Sequence, residues 1–247
     1  ISAAWAWKAG GSSSANTDGS ISSTISANTA AGFSIVKYTG TGSVGTIGHG
    51  LGSELDCIIM KQIENNSGYN WKVYFRNQGS NKTLTLDTNG AISTNANYLN
   101  DTHPTNAVFT VGADGGSNLS ANDMIAYCFV EKKGFSKFGT YTGNGNADGA
   151  FVYTGFKPAF VMTKLASGTA SWYMFDAVRQ GYNPQNDQLL ANTNDANDQT
   201  QRIDLLSNGF KTRQNNTSVN TNSGTYVYIA FAKEPLVSSN NIPATAR

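Results

Sequence analysis

The sequence has few charged residues. Asp, Glu, Lys and Arg make up 13% of the 247 residues, and the formal net charge is only +1, whereas about 25% of an average globular protein is charged. Proteins that bind nucleic acids neutralise phosphates with a basic face, and here the 17 Lys and Arg residues are spread along the chain. We therefore expect no nucleic-acid partner.

Long apolar runs are also missing. No stretch reaches the roughly 18 to 20 apolar residues of a membrane-spanning helix, so we expect no membrane insertion. The first eight residues contain two tryptophans where a signal peptide would have a longer aliphatic segment. The chain does not begin with Met, and together with the repeat described below this suggests a piece of a longer protein.

Histidine is scarce, and no catalytic or metal-binding spacing is present. His49 and His103 are the only histidines, whereas a metal site needs several His, Cys or carboxylate ligands at recognisable spacing. No Gly-x-Ser-x-Gly elbow occurs. The carboxylates nearest to predicted strands form no glycosidase pair; they are Glu54, Asp56, Asp176 and Asp204. We therefore expect a protein that is not an enzyme and that has no cofactor.

An internal repeat is present instead. The stretch 123–132 recurs about 102 residues later as 225–234, with Ile125 matched to Val227 and Phe129 to Phe231. Residues 4–8 fit the same register. One predicted strand thus occurs three times in the sequence.

The strand pattern predicts an all-β fold. Short apolar or alternating runs are separated by Gly, Asn, Asp and Ser turns about every 10 residues, which is typical of antiparallel sandwiches and barrels. In the run that begins at Trp71, alternation places Trp71, Val73 and Phe75 on one face and Lys72 and Arg76 on the other. We expect two tandem antiparallel β-sandwich modules, jelly-roll-like and about 100 residues each, related by the repeat.

The domain boundaries follow from the repeat. We expect an N-terminal strand and a Gly/Ser-rich linker at 1–31, a first module at 32–133, a second module at 134–235, and a polar C-terminal tail at 236–247. Within 1–31, residues 20–31 allow a short edge strand.

The two cysteines are too few for a disulfide framework. The repeat aligns Cys57 with Ala159 and Cys128 with Ala230. Each cysteine therefore stands where the other copy has a small apolar residue, and this favours buried free thiols. A bridge between Cys57 and Cys128 is the alternative.

Two kinds of ligand site remain open. The oxygen-rich stretches 114–116 and 144–149 have the residues of a weak calcium site, but Asn, Asp and Gly are also ordinary turn residues. Tyrosines in predicted loops are candidate glycan contacts, since aromatic faces stack on sugar rings. The alternative is that each ring packs over its own turn. These tyrosines are Tyr69, Tyr98, Tyr153 and Tyr182.

The ordered set of repeated motifs resembles paired β-modules in structural proteins of tailed bacteriophages, particularly marine ones. The resemblance covers about residues 1–235 and rests on the following stretches: 5–11, 16–21, 32–34, 38–40, 48–51, 134–139, 148–149, 153–159, 206–210 and 226–228.

The resemblance implies a non-enzymatic virion surface protein, either a tail fibre or a capsid or tail decoration, that assists host adhesion. Its implied partners are other virion proteins, further copies of itself and a host-surface glycan. The family offers no catalytic residues to carry over. Two other classes stay open. The first alternative is a secreted carbohydrate-binding module, and the less favoured one is a polysaccharide depolymerase.

Overall fold

The computed structural model describes residues 4–63, 68–179, 181–185, 187–196, 200 and 202–233, and it is all-β. Its chain divides into two compact units: residues 1–83 with 93–130, and residues 84–92 with 131–247. The helices among the described residues are too short to cross a membrane. They are one α-helical turn, α1 (Gly115–Asn118), and a 3-10 turn, Arg76–Gln78. The predicted tail at 236–247 lies outside the described residues.

The first unit is built on an antiparallel sheet with the strand order β1-β2-β3-β10-β5-β6-β7-β8. These strands are β1 (Ser14–Asn16), β2 (Ser23–Asn28), β3 (Phe33–Thr39), β5 (Cys57–Gln62), β6 (Lys72–Phe75), β7 (Lys82–Thr85), β8 (Ser93–Thr94) and β10 (Asp123–Phe129). A second, two-stranded sheet pairs β4 (Gly45–Gly48) with β9 (Val108–Val111).

One buried cluster joins the two sheets of the first unit. It contains Val36 and Ile58 from the large sheet, Ile47 and Phe109 from the small one, and Tyr98 from a loop. Side chains alternate across a strand, so the larger sheet directs one set of residues into this cluster. Burying each large apolar side chain contributes about 2 to 3 kcal/mol.

The second unit has a five-stranded sheet with the order β11-β18-β13-β14-β15 and a three-stranded sheet with the order β12-β17-β16. The strands are β11 (Ser136–Thr142), β12 (Phe151–Tyr153), β13 (Pro158–Leu165), β14 (Trp172–Asp176), β15 (Leu189–Leu190), β16 (Ile203–Leu206), β17 (Gly209–Thr212) and β18 (Thr225–Ala232). Its core cluster again takes residues from both sheets, among them Val161, Tyr228, Val152 and Phe210.

A buried asparagine holds one loop in each unit, the loop after β3 in the first unit and the loop after β11 in the second. In the first unit Asn118 accepts from the Thr41 amide (2.8 Å) and donates to the carbonyl oxygens of Ser43 (2.7 Å) and Gly112 (2.8 Å). In the second unit Asn220 accepts from the Asn144 amide (2.9 Å) and donates to the Asn146 carbonyl (2.7 Å). Both side chains are fully buried, and we call each arrangement an asparagine clamp.

The N-terminal segment departs from its prediction. Residues 4–13 contain no strand, although residues 4–8 match a strand of the repeat. Residues 14–28 form the hairpin of β1 and β2, which extends the sheet beyond β3. Strand β2 lies within 20–31, where a short edge strand is predicted, whereas β1 lies in the stretch predicted to be linker. Ile21 and Ile25 enter the core, and their burial explains why this Gly- and Ser-rich stretch is ordered.

The boundary between the units also departs from a single break near residue 133. Residues 84–92 belong to the second unit. There the Thr85 carbonyl accepts from the Trp172 indole (2.8 Å), and the Ile92 amide donates to the Ala166 carbonyl (2.8 Å). Backbone and indole hydrogen bonds of this kind depend on tertiary position, which residue type alone does not specify.

Both cysteines are buried free thiols, as predicted. Their burial raises the pKa of each thiol. The alignment of Cys57 with Ala159 is wrong by one residue, however. Cys57 lies opposite Phe129, and it is Phe160 that lies opposite Phe231, because the register of β13 shifts between Pro158 and Phe160.

The strand at Trp71 is not half-exposed as its alternation predicts. Val73, Tyr74 and Phe75 are all buried, so both faces of β6 are covered at these residues. The Tyr74 hydroxyl, which lies on the face expected to be polar, hydrogen-bonds to His103 Nδ1 (2.7 Å). A phenol can occupy such a position because its ring is apolar and its hydroxyl retains a partner.

Candidate functional site

Two aromatic side chains project from β12 on one face. Phe151 is 48% exposed and Tyr153 is 62% exposed, while Val152 between them is buried in the core. The alternation of a strand explains this arrangement, since residues two apart point to the same side. We call this side the outer face of the β12 sheet.

The adjacent strand, β17, leaves the aromatic rings open. Tyr153 lies opposite Gly209, which has no side chain, and Phe151 lies opposite Lys211. The Tyr153 ring lies over the turn at Gly155. One side of the ring therefore packs on its own turn, which was the alternative to a glycan contact. The exposed fraction of the ring remains available for contact with a ligand.

Charged groups border the rings on the same face. Lys211 Nζ pairs with Asp148 (2.5 Å) and lowers the pKa of that carboxyl. Asp204 lies opposite Lys211 on β16, and its Oδ2 pairs with Arg213 Nε (3.5 Å). The second oxygen, Asp204 Oδ1, is buried and has no hydrogen-bond partner within the described part of the chain. A buried carboxylate oxygen without a donor is costly.

The corresponding strand in the first unit, β4, has no such face. Ile47 pairs with the buried Phe109, as Val152 pairs with the buried Phe210. By this register Gly48 corresponds to Tyr153, and Thr46 corresponds to Phe151.

The N-terminal segment pairs with the edge of β4, where Ile21 forms a parallel bridge with Ile47, and the Asn16 side chain lies over Gly48. The Ile21 amide donates to the Thr46 carbonyl (2.9 Å), and the Thr46 amide donates to Ser20 Oγ (2.9 Å). A side chain at position 48 would collide with Asn16. The outer face that is open in the second unit is thus occupied in the first.

The four predicted glycan contacts do not form one site. Tyr69 and Tyr98 belong to the first unit, and Tyr153 and Tyr182 to the second. Tyr98 is fully buried in the core, so its assignment as a surface contact is wrong. It lies in a loop, as predicted, but that loop crosses the core, which its local sequence does not indicate.

The other tyrosines reach the surface to different extents. Tyr69 is 36% exposed and its ring lies against Gly115, whereas Tyr153 and Tyr182 are 62% and 68% exposed. Sequence reasoning missed Phe151, although the alternation of residues 151–153 carries the signal. It also missed the clamp residues Asn118 and Asn220, which stand among many other asparagines.

The histidines are separate structural groups. His49 is buried; its Nδ1 accepts from the Leu51 amide (3.3 Å), its Nε2 lies 3.3 Å from the Thr105 carbonyl oxygen, and burial lowers its pKa. Within the described ranges, no three His, Cys, Asp or Glu side chains are grouped as a metal site would require.

In the stretches considered for calcium, oxygen atoms accept hydrogen bonds from the protein. Asp114 accepts from the Gly116 amide (2.8 Å) and from the Asn95 side chain (2.7 Å). Asn144 Oδ1 accepts from the Asn146 amide (3.0 Å) and from Asn220 Nδ2 (2.7 Å). These oxygens serve the turns and the second asparagine clamp.

Comparison with known proteins gives one match. Residues 1–235 match the family DUF7483, described as a domain of unknown function. No curated protein and no solved structure matches the chain.

Proposed function

The chain belongs to the DUF7483 family, and we propose that it is a non-catalytic surface protein that binds saccharides through the outer face of the β12 sheet. The observation that carries this proposal is the exposure of Phe151 and Tyr153 on one side of a short strand. Apolar faces of sugar rings stack on such side chains, and neighbouring polar groups orient the hydroxyls.

The polar border of the face suits a hydroxyl-rich ligand. Asp204 Oδ1 lacks a donor among the described residues, and Lys211 and Arg213 supply donors at the same face. We propose that sugar hydroxyls bond to Lys211 and Arg213 at this border while an adjacent ring stacks on Tyr153. Because the face is open and shallow, binding of a single sugar would be weak, and a chain of sugars would gain affinity by contacting both rings.

We further propose that the protein consists of two tandem β-sandwich modules related by an internal repeat. The strand order β3-β10-β5-β6 in the first unit and β11-β18-β13-β14 in the second supports this proposal. The two asparagine clamps support it as well, because one fixes the loop after β3 and the other the loop after β11, and these two strands come first in the matching orders.

The virion location is proposed from the sequence resemblance alone. A surface that carries a saccharide-binding face fits host adhesion by a tail fibre or decoration protein, and it fits a secreted carbohydrate-binding module equally. Immuno-electron microscopy on purified particles separates them: label on the particle supports the virion protein, and label confined to the soluble fraction supports the secreted module.

A glycan array followed by titration of the best ligand tests saccharide binding. We expect Phe151→Ala and Tyr153→Ala each to weaken binding by about tenfold, in line with the loss of one aromatic contact. Val178→Ala, at an apolar residue of the same unit that is 82% exposed, is the control. Binding that is unchanged in both β12 variants would refute the site, and release of new reducing ends from the ligand would refute the non-catalytic role.

A further inference from the structure

A small pocket, separate from the outer face of the β12 sheet, lies in the second unit beside β16. It has a volume of about 90 Å³, and its lining includes Lys157, Tyr182, Asn183, Gln185 and Lys233. Among the residues that the structure describes, its lining contains no Asp or Glu. The pocket thus combines two positive charges with two amides and an aromatic ring.

The framework of this pocket is held by the backbone. The Gln185 amide donates to the Ile203 carbonyl (2.7 Å), and the Arg202 amide donates to the Gln185 carbonyl (3.1 Å). Asn183 donates from Nδ2 to the Leu205 carbonyl and accepts at Oδ1 from the Leu205 amide, both at 2.9 Å. The residues 183–185 therefore dock along β16 as an additional extended segment, and this fixes the amide side chains in place.

Gln185 presents an acceptor without a donor. The residue is 2% exposed, and its Nε2 donates to the Tyr182 carbonyl (2.8 Å), which identifies the other terminal atom as the oxygen. That atom, Oε1, has no hydrogen-bond partner among the residues that the structure describes. A buried amide oxygen in this state is less stable than a paired one.

The two lysines in the lining favour a ligand that carries an anionic group. An ammonium group binds a carboxylate through charge-assisted hydrogen bonds, and here two lysines line one small pocket. A ligand that fits this lining carries a carboxylate for the lysines and hydroxyl groups beside the amide residues Asn183 and Gln185. Its apolar face would stack on Tyr182, which is 68% exposed.

We infer that this pocket binds the carboxylate end of an acidic sugar, of the uronic-acid class. The volume accommodates the carboxylate and the carbon atoms next to it, while the remainder of the sugar ring lies over Tyr182. The residues are distinct from those of the outer face of the β12 sheet, so the inference stands independently of the proposed function.

The test is NMR titration of the full chain with methyl glucuronide and methyl galacturonide, with methyl glucoside and acetate as comparison probes. We expect at least one uronide to bind about tenfold more tightly than methyl glucoside and than acetate. The double variant Lys157→Met/Lys233→Met should weaken that binding by about tenfold or more, and Tyr182→Ala should weaken it severalfold. Lys133→Met, an exposed lysine of the same unit, is the matched control and should change nothing.

The outcomes separate this pocket from the β12 face. Tyr153→Ala should leave uronide binding intact even where it abolishes binding of a neutral glycan. No binding of either uronide, or binding that survives the double lysine variant, would overturn the inference. Equal binding of acetate and the uronides would overturn the assignment to a sugar acid.

Discussion

The outer faces of β4 and β12 occupy the same register positions in the two units but differ in what covers them. In the first unit, the N-terminal segment lies against β4, and Asn16 leaves no room for a side chain at position 48. In the second unit, Tyr153 stands at that position and is 62% exposed. An antiparallel strand pair therefore carries a closed face in one unit and an open face in the other, and recognition is to be sought where the units differ.

Removing each asparagine clamp tests whether the two units depend on it to the same extent. Asn118→Ala and Asn220→Ala should each destabilise their own unit by about 4 kcal/mol, because several buried hydrogen-bonding groups lose their partner at once. Hydrogen exchange measured by mass spectrometry would show the loss of protection unit by unit. Asn77→Ala, at an exposed asparagine, is the control. If only one of the two variants lost less than about 1 kcal/mol of unfolding free energy, the clamps would not be equivalent.

The cover over β4 can be removed by a single methyl group. A Cβ atom at Gly19 would collide with the backbone of Thr46 and Ile47. We expect Gly19→Ala to destabilise the first unit by about 3 kcal/mol, because backbone atoms cannot move aside as a flexible side chain can. Hydrogen exchange should then accelerate in residues 14–28 and remain unchanged in the second unit.

Ser12→Ala, at an exposed residue of the same segment, controls for substitution as such. Full retention of protection in residues 14–28 of the Gly19→Ala protein would show that the segment does not depend on this close approach.

Lys61 and Lys164 occupy comparable positions in the large sheets of the two units but differ in burial. Comparing them tests what the burial of a lysine costs. Lys61 lies opposite Ile125 and is half-buried, whereas Lys164 lies opposite Val227 and is fully buried. Lys164 Nζ donates to the Leu165 carbonyl (2.6 Å), and burial lowers its pKa to about 8 from 10.5. The unfolded chain therefore binds more protons between pH 8 and 10.5, so this lysine's penalty is complete below pH 8 and is relieved as the pH rises.

We expect Lys164→Met to be more stable than the wild type at pH 7, and the difference in unfolding free energy to shrink by about 1 kcal/mol between pH 7 and 9. Denaturant unfolding of both proteins at several pH values measures this difference. Lys61→Met is the matched control for a lysine that is not enclosed. A difference that stays constant with pH would show that Lys164 is not strained by its burial.

The smallest stability effect is expected at the open face itself. Tyr153→Ala should change the stability of the second unit by less than about 1 kcal/mol, because most of the side chain is exposed. Thermal unfolding measures this change. A loss above about 2 kcal/mol would mean that the ring serves the fold, and the case for a binding face would fail.

Much of the fold could be read from the strand pattern. The all-β class and most strand positions follow from short apolar runs separated by turn residues, and the burial of both cysteines was predicted from the small apolar residues at the matching positions of the repeat. Strand β1 could not be read, because Ser14–Asn16 lie in a Gly- and Ser-rich stretch, whereas Ile21 and Ile25 did indicate a strand near β2. The one-residue shift between Pro158 and Phe160 was equally hidden, because a bulge changes pairing without a clear signature in composition.

For the candidate site, the sequence supplied Tyr153 and Tyr182 but no reason to prefer them to Tyr98. All three lie in or beside stretches rich in turn residues, so local pattern treats them alike. The exposure of each ring depends on what packs against it from distant parts of the chain.

The sequence by itself determined which residues alternate, where turns fall and how little charge the surface carries, because these are local properties of residue type and spacing. The tertiary structure alone decided that the β4 face is covered while the β12 face is open, and that Gln185 and two lysines line one pocket. Those features depend on contacts between residues far apart in the chain, and such contacts are fixed only when the strands pair and the cores close.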